Sequence, residues 1–216
     1  FANNVIVLIC GKNHLPGAVL MPLDGNALQT KTIAGQVNCP EPVRKRLWQA
    51  VIIAKVSAQA FVLKKATGDA GLIANYAGRV KSGDPDNVEA QAARIYWQRL
   101  FGDEFRRERD EVGVNAMLNY GYAIVRSAIA RAIVATGLHP SIGIHHRNQY
   151  NAFCLADDLV EPLRPAVDML VYELSRNNQL ELELSPRTKK SLLAVLNTDM
   201  FIGGRKLPLM TATHYY

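Results

Sequence analysis

Cysteine is scarce in this chain of 216 residues, and the three that occur, Cys10, Cys39 and Cys154, are far apart. Their odd number and the lack of a CxxC pair argue against a disulfide framework and against a zinc ribbon, because both need paired cysteines. Few and unpaired cysteines are typical of a reducing compartment. We therefore expect a cytoplasmic protein.

A long uninterrupted apolar run is also missing. The run at 5–10 is too short for the apolar core of an export signal, and no basic segment precedes it. The longest apolar stretch, at 116–136, is typical of a buried helix and not of a membrane span. Its interruptions are Asn119, Arg126, Ser127 and Arg131. We expect no membrane partner.

Charged residues make up 20% of the chain and hydrophobic residues 49%, which is the composition of an ordinary globular protein. Basic residues exceed acidic ones, so the formal net charge is +6 and the isoelectric point is near 9.3. A mildly basic solvated surface accounts for this excess. A face that binds nucleic-acid phosphates also accounts for it, because Lys and Arg displace counterions there, and the charge slightly favours this interpretation.

The chain divides into a short β segment and a long helical one. Apolar and β-branched residues at 5–10 predict a strand, but no partner strand precedes it, and a lone strand cannot satisfy its backbone groups. Because the chain also starts at Phe1, we expect a fragment in which 1–22 are the remnant of an N-terminal β-domain. Glycine, asparagine and proline at 23–40 predict a linker. Residues 41–216 then form a helical domain, so the expected fold class is mainly α.

Apolar residues at spacings of three and four predict helices over most of the second segment. In the first helix the apolar positions are Leu47, Val51, Ala54, Ala58, Phe61 and Val62. Asp84 is expected to cap the third helix, with Pro85 at its first position. The fourth is apolar on nearly all sides, which predicts a central place in a bundle. The predicted helices cover 42–66, 70–81, 85–100, 111–136, 152–176 and 186–197, and a hairpin is expected around Gly203-Gly204.

Three places combine ionisable residues with an apolar helical frame. Glu89 lies in the first turn of the third helix, where a lone glutamate more often interacts only with the helix dipole. His145 and His146 are adjacent in a polar loop, and in an extended backbone only one of them can face a given site. Asp158 and Glu161 share a helix face, but they also fit an acidic first turn with a structural role. Carboxylate and imidazole ligands suit Mg²⁺ or Mn²⁺, although spacing alone does not bring these residues together.

Four segments resemble one known family. They are DPDNVEAQAARIYWQRLFG, NAMLNYGYAIVRSAIARAIVATGL, GIHHRNQYNAFCLADDLVEPLRPAVD and LPLMTAT. The chain is similar to the spacer-acquisition integrase of CRISPR systems, the first-numbered Cas protein, and most of all to its type II branch. The segment VIVLICGKNHLPGAVLMPL resembles the last strands of that family's N-terminal β-domain. The resemblance covers essentially the whole chain, with its motifs in family order.

The resemblance implies three catalytic residues that are also ligands of one Mg²⁺ or Mn²⁺ ion. Glu89 matches the glutamate of N-x-E-x-x-A-A-R-x-Y, His146 the histidine of H-x-N-Q-x-N, and Glu161 the acid of D-L-x-E-P-x-R-P. His145 falls outside the motif.

Several other residues have expected roles near this site. A histidine ligand needs a partner for its second ring nitrogen, and the candidates are Asn148, Asp158 or a backbone carbonyl. Arg94, Arg147 and Arg164 either bind DNA phosphates or pair with nearby acids. The sequence leaves these two roles equally open.

The resemblance also implies the reaction and its partners. The family integrates captured foreign DNA as new spacers in a CRISPR array by transesterification, and it cuts branched DNA. The implied partners are DNA, a second copy of the chain in a homodimer, and the small second-numbered Cas protein. Because the family dimerises through its β-domain, a fragment without most of that domain is expected to integrate poorly.

Two rival interpretations remain open. A non-catalytic DNA-binding helical module would bind DNA regardless of Mg²⁺. An unrelated metal-dependent phosphohydrolase would turn over small phosphoesters without DNA. The sequence contains no information on the source organism, the repeat sequence or the spacer length.

Overall fold

A computed structural model describes residues 7–10, 16–20, 29–108, 112–176 and 184–215. This part of the chain is mainly helical, as the sequence predicts. Its α-helices are α1 (Gln29–Val37), α2 (Glu41–Thr67), α3 (Val88–Phe101), α4 (Val114–Ala135), α5 (Cys154–Val160), α6 (Arg164–Arg176), α7 (Pro186–Leu192) and α8 (Leu209–Ala212). Its strands are β1 (Val7–Cys10), β2 (Pro16–Leu20), β3 (Asp199–Ile202) and β4 (Arg205–Pro208).

The strands form two antiparallel hairpins. Strand β1 pairs with β2, with Val7 opposite Leu20, so the predicted first strand is present and its partner follows it in the chain. Strand β3 pairs with β4, with Ile202 opposite Arg205. The turn between them is Gly203-Gly204, and both glycines have positive φ, 58° and 76°, as tight two-residue hairpin turns require. The predicted second hairpin is confirmed.

Helix α1 lies inside 23–40, so this part of the predicted linker is helical and not a loop. Gln36 ties the helix to a distant loop. Its Nε2 donates to the carbonyl oxygens of His139 and Ile142, each at 2.8 Å, and its Oε1 accepts from the His139 backbone N–H at 2.8 Å. Residues 21–28 lie outside the described residues, and the division into domains stays a prediction.

The buried face of α2 overlaps the predicted one only in part, with Val51 and Val62 buried as predicted. Leu47 is 44% exposed and Phe61 68% exposed, although both belong to the predicted apolar stripe. The buried face consists of Trp48, Val51, Ile52, Lys55, Val56, Gln59, Val62 and Leu63. The helix is apolar on more than one side, so apolar spacing alone did not select the buried side. Lys55 and Gln59 interrupt the apolar pattern on the face that is buried, so apolar spacing did not identify that face.

By length and composition alone, α2 is apolar enough to cross a membrane. Helices in the cores of soluble proteins meet the same criterion. The buried face of α2 packs on α3 and α6, and it carries the polar residues Lys55 and Gln59. We therefore describe α2 as a core helix.

The ends of several other helices differ from prediction. Helix α3 begins at Val88, later than expected, and Pro85 lies outside it. The N-cap position is Asn87 and not Asp84 as predicted, but the Asp84 carboxylate still accepts from the backbone N–H groups of Val88 at 2.9 Å and Glu89 at 3.1 Å. The predicted helix at 70–81 is instead two short 3₁₀ segments.

The long helix predicted at 152–176 is interrupted. A 3₁₀ turn, Glu161–Leu163, separates α5 from α6. Pro162 and Pro165 have no backbone N–H to continue the helical hydrogen bonds. Helix α7 begins where predicted and is capped by Ser185, whose Oγ accepts from the Thr188 backbone N–H at 3.2 Å, but it ends at Leu192 and continues as a 3₁₀ turn to Asn197.

Two hydrophobic clusters make up the core. One surrounds the predicted central helix α4, whose Met117, Leu118 and Ile133 are at most 3% exposed. The other joins α2, α3 and the 3₁₀ segments. Trp97 and Phe101 pack against both clusters, so the site described below lies where the two meet.

Candidate active site

Three charged side chains from three elements meet at this junction. Lys55, in the middle of α2, donates its Nζ protons to Glu89 Oε1 on α3 and to Glu161 Oε2 in the 3₁₀ turn, the second at 2.5 Å. Asp84 holds the first turn of α3, which carries Glu89. Glu161 is the first residue of the 3₁₀ turn Glu161–Leu163. Two acids that are far apart in the sequence therefore share one cation.

The site is largely buried. Lys55 is 7% exposed and Glu161 8% exposed, whereas the Glu89 side chain is 30% exposed. Burial alone would lower the pKa of Lys55, but the Glu161 and Glu89 carboxylates outweigh it and raise that pKa. Burial alone would likewise raise the pKa of Glu161, but Arg164 and Lys55 lower it. Lys55 and Glu161 are therefore both charged at neutral pH.

Arg164 completes the surroundings of Glu161. Its Nε donates to Glu161 Oε1 at 2.8 Å, and its guanidinium lies over the Tyr122 ring, 4.5 Å from the centroid. Of the two roles left open for Arg164, the structure contains the pairing with the local acid.

A cavity of about 280 Å³ opens at this cluster. Helix α2 contributes Lys55 and Gln59 to its lining, and the side chains around Glu161 contribute Tyr122 and Arg164. The remaining lining residues are Glu89, Ala93, Trp97, Arg107, Glu161 and Asp168. The cavity therefore exposes both carboxylates and several cations to a ligand from solvent.

The loop that contains His145 and His146, here called the histidine loop, is held in place by Asp158, which is fully buried. Its carboxylate accepts from the backbone N–H groups of Ile144 at 2.6 Å, His145 at 3.0 Å and His146 at 3.2 Å. Its Oδ1 also lies 2.6 Å from His146 Nδ1. Because a carboxylate only accepts, Nδ1 carries the proton in this pair and Nε2 is left to bind a ligand. Of the candidate partners for this histidine, Asp158 is the one found.

The two adjacent histidines have different surroundings. The ring of His145 stacks on Trp48, with centroids 4.2 Å apart and planes 5° from parallel. The ring of His146 meets Trp48 edge-on at 5.9 Å. The hydrogen bond to Asp158 raises the pKa of His146, and Glu161 is near enough to add to the increase.

The three predicted ligands are only partly brought together. Glu89 and Glu161 converge on Lys55, whereas His146 lies on the neighbouring loop against Asp158. Among the residues that the structure describes, no three His, Cys, Asp or Glu side chains are grouped closely enough to hold a metal ion. The three-ligand site therefore stays a prediction.

A buried acid lies beneath the cavity. Asp168 is 1% exposed and accepts hydrogen bonds from the hydroxyls of Tyr96, at 2.9 Å, and Tyr122. Burial raises its pKa to about 7, and it raises both tyrosine pKa values well above the usual range. Sequence reasoning missed this group, because an Asp in mid-helix gave no sign of its distant partners.

Lys55 and Gln59 were missed as well, although the sequence contained a signal. They are four residues apart inside an apolar helix, where two polar side chains on one face indicate a buried polar site. Arg107 was also missed. Its Nη1 donates to Asn115 Oδ1 at 2.9 Å and its guanidinium lies 5.4 Å from the Tyr122 centroid.

The other predicted phosphate-binding arginines are exposed. Arg94 is on α3, beyond Glu89. Arg147 follows His146 and lines a second cavity together with Arg44 and Lys45 of α2. Both arginines are therefore accessible to a large anionic ligand, although neither lines the cavity that contains the two acids.

Comparison with known proteins connects this geometry to one family. Residues 2–199 match the family model described as CRISPR associated protein Cas1. The chain is 40% identical over 198 residues to the CRISPR-associated endonuclease Cas1 of Neisseria meningitidis, an alignment that covers 91% of this chain. It is 30% identical over 172 residues to a Cas1 endonuclease of Thermus thermophilus. The chain spans 65% of the length of the first relative and 54% of the second.

Solved structures share the fold over 99% of this chain. A casposase bound to integration product has a TM-score of 0.77 at 21% identity, with 73% of that chain covered. A Cas1 protein from Thermotoga maritima has a TM-score of 0.71 at 19% identity, with 76% covered. A chain of a partial Cas6-RT-Cas1–Cas2 complex has a TM-score of 0.77 at 17% identity, with 75% covered.

Proposed function

Because the chain belongs to the CRISPR-associated Cas1 family, we propose that it carries the active site of a DNA endonuclease and integrase that inserts captured DNA into a CRISPR array. The observation that carries this proposal is the convergence of Glu89 and Glu161, the acids of two family motifs, on one cation in an open cavity. A helical module that only binds DNA would give no reason for two carboxylates in such a cavity.

The donor chemistry fits a divalent metal ion. The position between the two carboxylates already accommodates a cation, the Lys55 ammonium, and His146 Nε2 remains available as a nitrogen ligand. We propose that Glu89, Glu161 and His146 hold Mg²⁺ or Mn²⁺, which suit oxygen and imidazole ligands. When bound, the ion would polarise a phosphoryl oxygen and stabilise charge on the attacking or leaving oxygen.

The surrounding residues position these ligands. Asp158 fixes the histidine loop through three backbone N–H groups, and it orients the His146 ring. Arg164 holds one oxygen of Glu161. Fixed ligands reduce the reorganisation needed when a phosphodiester and an attacking 3′-hydroxyl are brought together.

DNA binding fits the exposed cations beside the site. We propose that Arg147, with its neighbours Arg44 and Lys45, contacts DNA phosphates on one side, and that Arg94 contacts them on the other. Phosphate contacts carry no base information, so this surface tolerates many sequences.

The proposed assembly follows the family. The Cas1–Cas2 complex among the structural neighbours supports a small second-numbered Cas partner. We propose that the active species is a homodimer bridged by that partner, acting in the cytoplasm.

The test is strand transfer by the protein with its small partner on a plasmid that bears the repeat. Glu89→Gln and Glu161→Gln should each reduce Mn²⁺-dependent transfer by at least roughly 100-fold, because each removes a charged ligand. Unchanged transfer in both variants would reject Glu89 and Glu161 as catalytic ligands, whereas DNA binding without any transfer by the wild type would favour a binding module.

A further prediction separates the two histidines. His146→Ala should abolish strand transfer, since it removes a ligand, whereas His145→Ala should retain most of it, since His145 only stacks on Trp48. Both variants should be checked for folding by circular dichroism. If His145→Ala is the more damaging of two folded variants, the motif register is off by one.

A further inference from the structure

Two polar side chains lie one turn apart on the buried face of α2. Lys55 is 7% exposed and Gln59 2% exposed, and both line the cavity that contains Glu89 and Glu161. A buried polar group costs free energy unless it is hydrogen-bonded. Two such groups on a helix face that is otherwise apolar therefore point to a role in the site.

The Lys55 ammonium lies between the two carboxylates, where a metal ion bound by them would also lie. Its ammonium donates to one oxygen of Glu89 and one oxygen of Glu161. A divalent ion held by the same two carboxylates would be within a few ångström of that ammonium, and two cations at such a distance repel. An ion can therefore enter between the acids only if the ammonium moves away.

Gln59 provides a place for the ammonium to go. Its Oε1 is buried and has no hydrogen-bond partner within the described part of the chain. Leaving such a buried acceptor without a donor costs free energy. Side chains four residues apart on a helix are neighbours, so rotation about the Lys55 side-chain torsions can bring Nζ to Gln59 Oε1.

We propose that Lys55 is a built-in cation with two positions. In the arrangement seen here it holds Glu89 and Glu161 together, where their charges would otherwise repel. When a divalent ion binds between the acids, the ammonium moves to Gln59. The inference rests on the proposed function, because it takes the two acids as metal ligands.

The two residues then have opposite effects on metal affinity. Lys55 weakens binding, since the ion must displace it. Gln59 strengthens binding, since it accepts the displaced ammonium. This dependence also makes Gln59 matter only while Lys55 is present.

The experiment measures Mn²⁺ binding by the 216-residue chain, from the electron paramagnetic resonance signal of free Mn²⁺. Lys55→Met keeps the apolar stem without the charge and should tighten Mn²⁺ binding by on the order of tenfold. Gln59→Leu should weaken binding by roughly fivefold in the wild-type chain, but not in the Lys55→Met background. Lys64→Met, an exposed change on the same helix, should leave the affinity unchanged.

Equal or weaker Mn²⁺ binding by Lys55→Met would overturn the inference, because the lysine would then support the site. If Gln59→Leu weakens Mn²⁺ binding equally in the wild-type and Lys55→Met chains, Gln59 does not accept the displaced ammonium, and the second position of Lys55 is overturned. If Lys55→Met does not fold, a crystal structure of the wild-type chain with Mn²⁺ decides. Nζ within hydrogen-bonding distance of Gln59 Oε1 supports the inference, and Nζ still between the acids overturns it.

The same titration distinguishes this inference from the proposed function. Mn²⁺ binding that Glu89→Gln and Glu161→Gln leave unchanged would overturn the metal site itself, and the inference with it. Binding that needs both acids but is insensitive to Lys55→Met would overturn the inference alone.

Discussion

At the scale of single residues, the histidine loop depends on a close approach at Gly143. A Cβ atom at this position would lie 2.5 Å from the His146 carbonyl oxygen, 2.8 Å from Asp158 Oδ2 and 3.0 Å from Cys154 Cβ. The first of these neighbours is backbone, and the second holds the loop. Glycine is therefore required here by lack of space.

We expect Gly143→Ala to displace the loop and to lower the free energy of unfolding by about 1–3 kcal/mol, the usual cost of overpacking. Urea unfolding measures the loss. Gly78→Ala is the matched control, because a Cβ there meets nothing within 4 Å. Equal stabilities of the two variants would show that the loop adapts without cost.

Asp168 gives the stability a pH dependence with a definite sign. Its pKa is about 7 in the folded chain, against a usual 3.8, so the folded state binds more protons than the unfolded state between about pH 4 and pH 7. Stability from this group is therefore lost as pH rises through that window. Asp168→Asn removes the titration while keeping a polar partner for the two tyrosine hydroxyls.

The measurement is urea unfolding of the wild type and Asp168→Asn at pH 5 and pH 7. The difference between the two free energies of unfolding should change by on the order of 2 kcal/mol over this interval, in favour of the variant at the higher pH. Parallel pH profiles would mean that Asp168 is ionised across the whole range.

At the scale of elements, α4 carries the larger of the two core clusters. Leu118 is fully buried, whereas Ile124 is only partly buried against the cluster. Leu118→Ala should therefore cost about 2–5 kcal/mol of unfolding free energy through the cavity it leaves, and Ile124→Ala should cost less.

The control for these substitutions is Leu72→Ala, since Leu72 is 66% exposed and surface changes are usually within about 0.5 kcal/mol. Hydrogen exchange gives an independent measure. Fast amide exchange along α4 in the folded chain would contradict its central place.

In the molecule as a whole, the charged residues of the site are carried by elements that pack in both core clusters. The net charge of +6 makes association with DNA dependent on salt, because each neutralised phosphate releases counterions. We expect log K for a splayed-end duplex to fall with log salt by roughly 0.7–0.9 per phosphate contacted.

Arg147→Ala should make the slope of log K against log salt shallower by roughly 0.7–0.9, the contribution of one phosphate contact. Arg164→Ala should change it less, because Arg164 is already paired with Glu161. Arg187→Ala, an exposed change on α7, serves as the control. If log K does not change with salt, the proposed phosphate-binding surface is rejected. If the slope is steep but the same in Arg147→Ala, the phosphates bind to another part of the protein surface.

Local sequence patterns were enough to predict the fold class, the confirmed hairpin at Gly203-Gly204, the central place of α4 and the family. Each of these depends on local patterns: apolar spacing, turn glycines, caps and motif order. The interruption at Glu161–Leu163 also had a local cause in Pro162 and Pro165, but the prediction extended the helix across it.

Which side chains face the site depends on how the helices pack. The pairing of Lys55 with Glu89 and Glu161 joins residues up to 106 positions apart, and the bond between Tyr96 and Asp168 spans 72. No local pattern encodes such contacts, because they depend on how helices pack. The same packing selects the buried face of α2, and it places Lys55 between the two acids that are predicted to bind a metal.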